Sequence, residues 1–347
     1  MQIVIATYTF APEIGGVATN VGILAAAFHE AGHDVTVVTS APGPIDGFPY
    51  RLIRHPKAAQ LFELYRAADI LIQSNLSLGL IYPLVVIRRP FALRHHSESA
   101  FHISRVPTLR NVLRRWVRSR AHHFVTSHYI GRKSGLRQYT VTSPFADPHH
   151  ITPEVVRPPA ERECLLFVGR VEPEKGIPFL LEHWPVIRRE LGITELRIVG
   201  DGSLAQSVQR SIENGLEGVN FVGALSRNET AKEMGKAAYV VVPSIWQEPF
   251  GAVALEAVAA GTIPIVADRG GLSEAAGPLG IMFNPDDEAS FRKALGAARA
   301  KRNELLQSRS AWEEHLKKVR NHVARFEPER VVETIISVMK PDNGAAH

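Results

Sequence analysis

The segment from Ser143 to Glu163 constrains the fold more than any other stretch of the chain. It holds five prolines in 21 residues and shows little apolar periodicity. Proline lacks a backbone N–H and biases the residue before it away from helix, so this run reads as a linker. On either side of it the same alternation appears. Before it, Ile3–Thr7 reads as a strand. Val17 to Ala31 reads as a helix, with Val17, Val21, Leu24 and Phe28 at helical spacing, and Val35–Thr39 as the next strand. Ala68–Gln73, Phe91–Leu93 and His123–Thr126 are expected as further strands. After the linker, strands are expected at Cys164–Val168, Leu196–Val199, Val219–Val222, Tyr239–Val242 and Ile263–Val266, with helices at Ile177–Leu191 and Ala252–Ala260. Strands separated by helices build parallel sheets. The expectation is an α/β chain of two doubly wound domains facing a cleft: residues 1–150, a linker at 151–163, and residues 164–325. Ligands of such folds bind beyond the carboxyl ends of the strands.

Composition narrows the class. The chain has 347 residues, 45% hydrophobic and 22% charged, which is ordinary globular chemistry and more than one core usually serves. The single cysteine, Cys164, lies in the apolar run CLLFVG and can form no internal disulfide, which fits a reducing, cytoplasmic setting. The first residues, MQIVIATYTF, read directly as a strand rather than a targeting segment. The longest apolar run, Leu76–Ile87, is 12 residues and contains Pro83, whereas a spanning helix needs about 20. Residues 1–150 carry 16 Lys and Arg against 8 Asp and Glu, while residues 151–347 carry 24 against 27. That imbalance suggests that the first half meets something anionic.

Three motifs carry chemistry. In EPFGAVALEAVAAG, Glu248 precedes a helix that starts near Ala252, and Glu256 lies within it. A helix start offers unpaired N–H groups to a phosphate, and carboxylates accept hydrogen bonds from sugar or ribose hydroxyls. The alternative is that Glu248 only complements the helix dipole and Glu256 is solvated. In FVGRVEPEKG, Gly169 follows a strand, and Arg170 and Lys175 come five residues apart in one loop. Two cations there suit phosphate oxygens. The alternative is a surface loop with an Arg170–Glu172 or Lys175–Glu174 pair. In PEIGGVATN, Gly15 and Gly16 open the first helix, where a backbone without side chains lets a ligand approach. This is not the G-x-G-x-x-G fingerprint, so a nicotinamide-dependent oxidoreductase is a weak reading.

Together EPFGAVALEAVAAG, GRVEPEKG and PEIGG resemble the retaining, nucleotide-sugar-dependent glycosyltransferases of the GT-B fold, glycosyltransferase family four, whose signature is E-x7-E. The likeness is strongest from Leu165 to Glu274 and thinner over residues 45–145. It implies that Glu248 holds hydroxyls of the transferred sugar and Glu256 the ribose. Arg170 and Lys175 would bind the diphosphate, with Gly169 in their loop. Backbone around Phe250, Gly251 and Ala252 would face phosphate or sugar, and Gly15 and Gly16 would close over the diphosphate. Gly200 and Gly202 would shape the loop near the base. The family also carries a histidine after a first-domain strand. FALRHHSES offers His95 and His96, and a spacing of six from Pro90 points to His96. One departure is Thr142–Asp147, where the family often has an Asn-Gly-Val-Asp turn.

The implied activity is transfer of a hexose from a UDP- or GDP-linked sugar to a hydroxyl of a glycan, lipid-linked or small-molecule acceptor. Neither a metal nor another cofactor is implied: the chain has no Asp-x-Asp pair, and its histidines show no zinc spacing with cysteine. A phosphorylase-like enzyme and a silent nucleotide-sugar-binding protein are the alternatives. Residues 326–347 are expected to cross back to the first domain. The tail from Phe291 to Met339 reads as helical with a break near Pro328.

The basic surplus of the first half concentrates in TLRNVLRRWVRSR, Thr108–Arg120. Leu109, Val112, Leu113, Trp116 and Val117 form one apolar stripe at helical spacing, and arginines cover much of the rest. Either the stripe packs into the core, or the helix makes peripheral contact with the inner face of an anionic membrane. Nucleic acid is disfavoured, because few aromatics accompany the basic run.

Overall fold

The structure, a computed structural model, describes residues 1–13, 15–98, 106, 108–145, 152 and 155–340. Part of the expected linker and the Ala146–Asp147 end of the Thr142–Asp147 departure lie outside those residues. The chain divides into two compact units, Met1–Phe145 with Phe326–His347, and Ala146–Arg325.

The first unit is built on seven parallel strands: β1 Gln2–Thr7, β2 Asp34–Thr39, β3 Arg51–Arg54, β4 Ile70–Ser74, β5 Phe91–His95, β6 His122–Val125 and β7 Thr140–Val141. Their order is β3-β2-β1-β4-β5-β6-β7, with Ile5 of β1 opposite Val37 on one side and Ile72 on the other. Side chains of a strand alternate between the two faces. One face presents Ile3, Ile5, Val37, Ile70 and Ile72 to Val21, Leu24 and Phe28 of helix Gly16–Glu30 and to Val331, Val332 and Ile335 of helix Pro328–Met339. The last helix is thus part of the first unit's core. Pro328 stands at its first position, where the missing N–H costs nothing. The other face packs Val4, Ala6, Leu71 and Leu93 on Leu61, Tyr65 and Leu84.

The second unit has six parallel strands: β8 Cys164–Val168, β9 Leu196–Val199, β10 Val219–Gly223, β11 Ala237–Val242, β12 Ile263–Ala267 and β13 Ile281–Phe283. The order is β10-β9-β8-β11-β12-β13. Cys164 is a buried hydrophobe in β8, and burial pushes its thiol up to about 11. In both sheets the strand order reverses beside the first strand, at β1/β4 and β8/β11. Such switch points open a crevice at the carboxyl ends of doubly wound sheets.

Three strands have no counterpart in the sequence pattern: β3, β7 and β13. Each lies at a sheet edge and spans two to four residues. Edge strands are paired on one side only and need no long β-branched run. The helical tail breaks just before Pro328, as expected, and has a second break further upstream. Ser308 ends helix Glu288–Gln307 and caps Arg309–Val323 by accepting a hydrogen bond from the Ala311 N–H.

Helix Leu109–Arg120 bears on the two packings that its sequence allows. Thr108 caps it, accepting from the Asn111 N–H. Its buried residues are Asn111 and Val117, while Leu109, Val112 and Trp116 are exposed. The apolar stripe does not, as a whole, enter the core.

Candidate active site

The charged residues of the second unit meet at the carboxyl end of its sheet. β8 ends at Val168, and the loop Gly169–Gly176 follows. β11 ends at Val242, and the loop Pro243–Gly251 follows. Backbone bonds staple these two loops, because the Ile245 and Trp246 N–H groups both donate to the Glu174 carbonyl, at 3.0 and 3.4 Å. The staple brings Lys175 to Glu248. Lys175 Nζ donates to Glu248 Oε1 at 2.5 Å, and Ser244 Oγ donates to the same oxygen at 2.7 Å. The lysine ammonium also sits 5.3 Å from the ring centroid of Trp246. Glu248 is buried and Lys175 nearly so, with side chains 8% and 18% exposed. A buried carboxylate is tolerable here because both a cation and a hydroxyl serve it.

Arg170 keeps a different partner. Its guanidinium pairs with Glu174 at 2.9 Å in an exposed position. Neither pairing weighed from the sequence, Arg170–Glu172 or Lys175–Glu174, is formed. Glu172 instead accepts from the Ser203 N–H and hydroxyl, and these bonds hold its carboxyl below the usual range. That ties the Arg170 loop to the Gly200–Ser203 turn. The Val171 N–H donates to the Asp201 carbonyl at 2.9 Å, and Leu204 N–H returns to the Val171 carbonyl at 3.0 Å.

Two glycines are required by this convergence. Gly200 has φ +140°, and a Cβ there would strike the Gly169 carbonyl oxygen, since the ends of β8 and β9 run against each other. Gly270 has φ +63°, and a Cβ there would collide with the Glu248 backbone. Gly270 and Gly271 in fact hold the glutamate loop. The Gly271 N–H donates to the Glu248 carbonyl at 2.7 Å, and the Gly270 N–H donates to Gln247 Oε1 at 2.7 Å. Helix Ala252–Ala259 then starts directly after Gly251, with Phe250 buried beside it. Ala252 is half-buried at that start. Glu256 is half-buried as well and is the only charged side chain of an otherwise apolar helix. Gly202 lies in the turn closed by Asp201 Oδ1, which accepts its N–H at 2.8 Å.

The first unit holds the remaining candidates, again at carboxyl ends of strands. Gly15 and Gly16 are exposed at the start of helix Gly16–Glu30. Gly15 is extended at φ 178°, and a Cβ on either would meet nothing within 4 Å. The fold itself therefore does not demand glycine at these two positions. The two histidines diverge. His95 is buried, stacks on His123 and shares a 3.0 Å hydrogen bond from Nε2 to His123 Nδ1. Burial first, then the charges of His123 and Arg118, push it down to about 3. His96 is less buried. Its N–H donates to Asn75 Oδ1 at 3.0 Å and its Nε2 lies 3.3 Å from Ser74 Oγ. Burial, with help from Arg94 and His95, holds its imidazole well below the usual range, so it is neutral near pH 7. The residue preceding them, Arg94, is fully buried and donates to the Thr142 and Ser143 carbonyls at 3.1 and 3.2 Å.

Several participants escaped the sequence reading. Ser244, Trp246, Gln247 and Gly270 act on Glu248 or Lys175 through loops that only the fold brings together. The one available signal was position: Ser244 directly follows the strand run YVVVP.

Comparison with known proteins concerns mainly the second unit. Residues 162–299 match the family described as "Glycosyl transferases group 1". The chain is 39% identical over 141 residues to glycogen synthase of Mycobacterium tuberculosis, covering 40% of this chain and 33% of that protein. It is 32% identical over 189 residues to phosphatidyl-myo-inositol mannosyltransferase of Mycobacterium leprae, covering 53% and 50%. The matches thus span a third to a half of these relatives. Solved structures extend the likeness to nearly the whole chain. Sucrose-phosphate synthase from Thermosynechococcus elongatus superposes with TM-score 0.70 at 22% identity, covering 96% of this chain and 98% of that one. Anabaena HepE in complex with UDP gives 0.71 at 16%, covering 98% and 99%. The fold is GT-B. Its two Rossmann-like parallel sheets are those described above.

Proposed function

We propose that this chain is a glycosyltransferase that uses a nucleoside-diphosphate sugar, retains the anomeric configuration and needs no metal. The observation that carries the reading is the meeting of Lys175 and Glu248 at the carboxyl end of the second sheet, stapled to the loop of Arg170. Breaking a sugar–phosphate bond puts negative charge on the departing nucleoside diphosphate. Fixed cations and the N–H groups of a helix start stabilise that charge as it grows. Lys175 and Arg170 supply the cations, and the start of helix Ala252–Ala259, with Phe250 and Gly251 before it, supplies the dipole.

Glu248 would serve the other end of the donor. Its Oε1 is taken by Lys175 and Ser244, which fixes the carboxylate and leaves Oε2 to accept a hexose hydroxyl. Glu256 would accept from the ribose, and the turn at Gly202, with Gly169 and Gly200 behind it, would border the base. Gly15 and Gly16, which the fold does not require as glycine, would let main chain approach the diphosphate, and His96 would offer a neutral imidazole to the sugar. The donor is taken as UDP- or GDP-linked, consistent with UDP-glucose in a solved relative of the same fold. The acceptor is a hydroxyl of a glycan, a lipid-linked sugar or a small molecule. For retention, the leaving phosphate would accept the acceptor's proton on the face it departs from.

The test is donor turnover with a panel of UDP- and GDP-hexoses in the presence of EDTA. Release of the nucleoside diphosphate, with an α-linked product from an α-linked donor by anomeric NMR, is expected. Loss of activity in EDTA, or an inverted product, would contradict the corresponding part of the proposal.

A further inference from the structure

Among the described residues, six of the thirteen large apolar side chains left exposed lie on one part of the first unit. Leu109 (76%), Val112 (48%) and Trp116 (40%) lie on helix Leu109–Arg120, and Tyr82, Val85 and Val86 (68%) on and just after the helical turn Tyr82–Val85. The two elements touch. Arg120 Nη1 donates to the Leu84 carbonyl at 3.0 Å while its guanidinium lies 4.5 Å from the Trp116 ring centroid. Beyond Tyr82, its ring meets Phe62 edge-on, Arg66 lies over Phe62, and Arg89 donates to the Arg66 carbonyl at 2.7 Å. Monomeric proteins seldom leave so many large apolar side chains side by side without a partner.

Charge says what the partner is. Residues 58–120 contain ten arginines and three acidic residues, and helix Leu109–Arg120 contains five arginines and no acid. Arg110, Arg115, Arg88 and Arg89 are exposed in and beside the apolar patch. Exposed apolar side chains and exposed arginines are interspersed along the helix and the turn. A tryptophan and a tyrosine, each apolar in body and polar at one tip, stand among them. This is the chemistry of an interfacial helix on an anionic bilayer, with arginines at the phosphate level and aliphatic groups below it. A second copy of this chain would face arginines with arginines.

We propose that this face docks on an anionic lipid bilayer, with Leu109, Val112, Trp116 and Val86 entering the interface and Arg88, Arg110 and Arg115 meeting lipid phosphates. The surface stands independently of the transfer reaction proposed above. Because the cations are arginines, docking should not change between pH 6 and 8.

Flotation of the whole chain with vesicles tests this. Vesicles of phosphatidylcholine with about a third phosphatidylglycerol should carry the protein at 0.1 M salt, and pure phosphatidylcholine should not. Leu109→Ser with Trp116→Ser should lower partitioning more than ~10-fold, from the apolar area lost. Arg88→Gln with Arg110→Gln should lower it ~5-fold per charge at low salt. All four positions are exposed, and unchanged melting curves would show the variants folded. In wild type, lipids brominated on the acyl chain should quench Trp116 fluorescence, the part lost in Trp116→Phe. Absence of flotation on anionic vesicles, variants that bind like wild type, or no Trp116 quenching would overturn the proposal. So would a dimer in sedimentation that dissociates on Trp116→Ser.

Discussion

The two sheets end in different chemistry. At the carboxyl end of the second, Lys175 and Glu248 pair across loops, and Arg170 stays exposed, paired with Glu174. At the carboxyl end of the first, Arg94 and His95 are buried and turned inward. His95 bonds to His123, and Arg94 is spent on carbonyls of Thr142 and Ser143. The second sheet offers charge to a ligand, whereas the first offers neutral rings and open backbone at Gly15 and Gly16. The difference teaches that one architecture can be loaded asymmetrically, with paired charges at the carboxyl end of one sheet and buried, mutually bonded polar groups at that of the other.

The largest effect expected from this contrast is on turnover. Lys175→Ala and Glu248→Ala should each lower kcat/KM by about 10² to 10³, and His96→Ala by about 10-fold, measured by nucleoside diphosphate release. Equal losses at all three positions would erase the asymmetry. Glycine substitutions sharpen it on the stability side. Gly270→Ala, with φ +63° and the Glu248 backbone in the way, should cost about 3 kcal/mol in denaturant unfolding. Gly15→Ala, extended and open, should stay within about 0.5 kcal/mol of wild type, yet raise KM if the backbone approaches the donor.

How much of this was legible in the sequence follows the same division. The interior strands Cys164–Val168, Leu196–Val199 and Ile263–Ala267 were readable because strands buried on both faces are continuous apolar runs. Edge strands such as Arg51–Arg54 were not, since half their pairing and burial is missing. Arg170, Lys175 and Glu248 could be picked out because charge in a loop after a strand is conspicuous, and Glu256 because it stands alone in an apolar helix. The contact between Lys175 and Glu248 could not, because 73 residues separate them and only the loop staple at Glu174 joins them. Helix Leu109–Arg120 shows the opposite failure. Helical spacing marks an apolar face correctly but does not say whether protein covers it.

Smaller effects follow. Glu248→Gln removes a negative charge beside Lys175 without changing shape, so it should tighten binding of the bare nucleoside diphosphate about 5-fold in calorimetry, since ~1 kcal/mol is what such a pair in a partly screened site contributes. Weaker binding in this variant would show that the pair acts as one unit. Acid sensitivity should be greater in the first unit. His95 and His123 are held down to about 3 and about 4, chiefly by burial, and in the second unit His315 to about 4. The unfolded chain, with ordinary histidines near 6.5, binds more protons than the folded chain over that window. Stability is therefore complete above about pH 6.5 and falls as pH drops below it, by up to ~1.4 kcal/mol per pH unit for each group. His123→Gln should make the fall in Tm between pH 7 and pH 5 shallower.

The most direct measurement is the thermal shift of wild type and Lys175→Ala with UDP, GDP and ADP at about 100 times Kd, where a specific ligand adds ~2.7 kcal/mol to the folded state. The account predicts that one of these raises the Tm of wild type and leaves Lys175→Ala unshifted at the same concentration. A wild type indifferent to all three, or a Lys175→Ala protein that responds as wild type does, would contradict it.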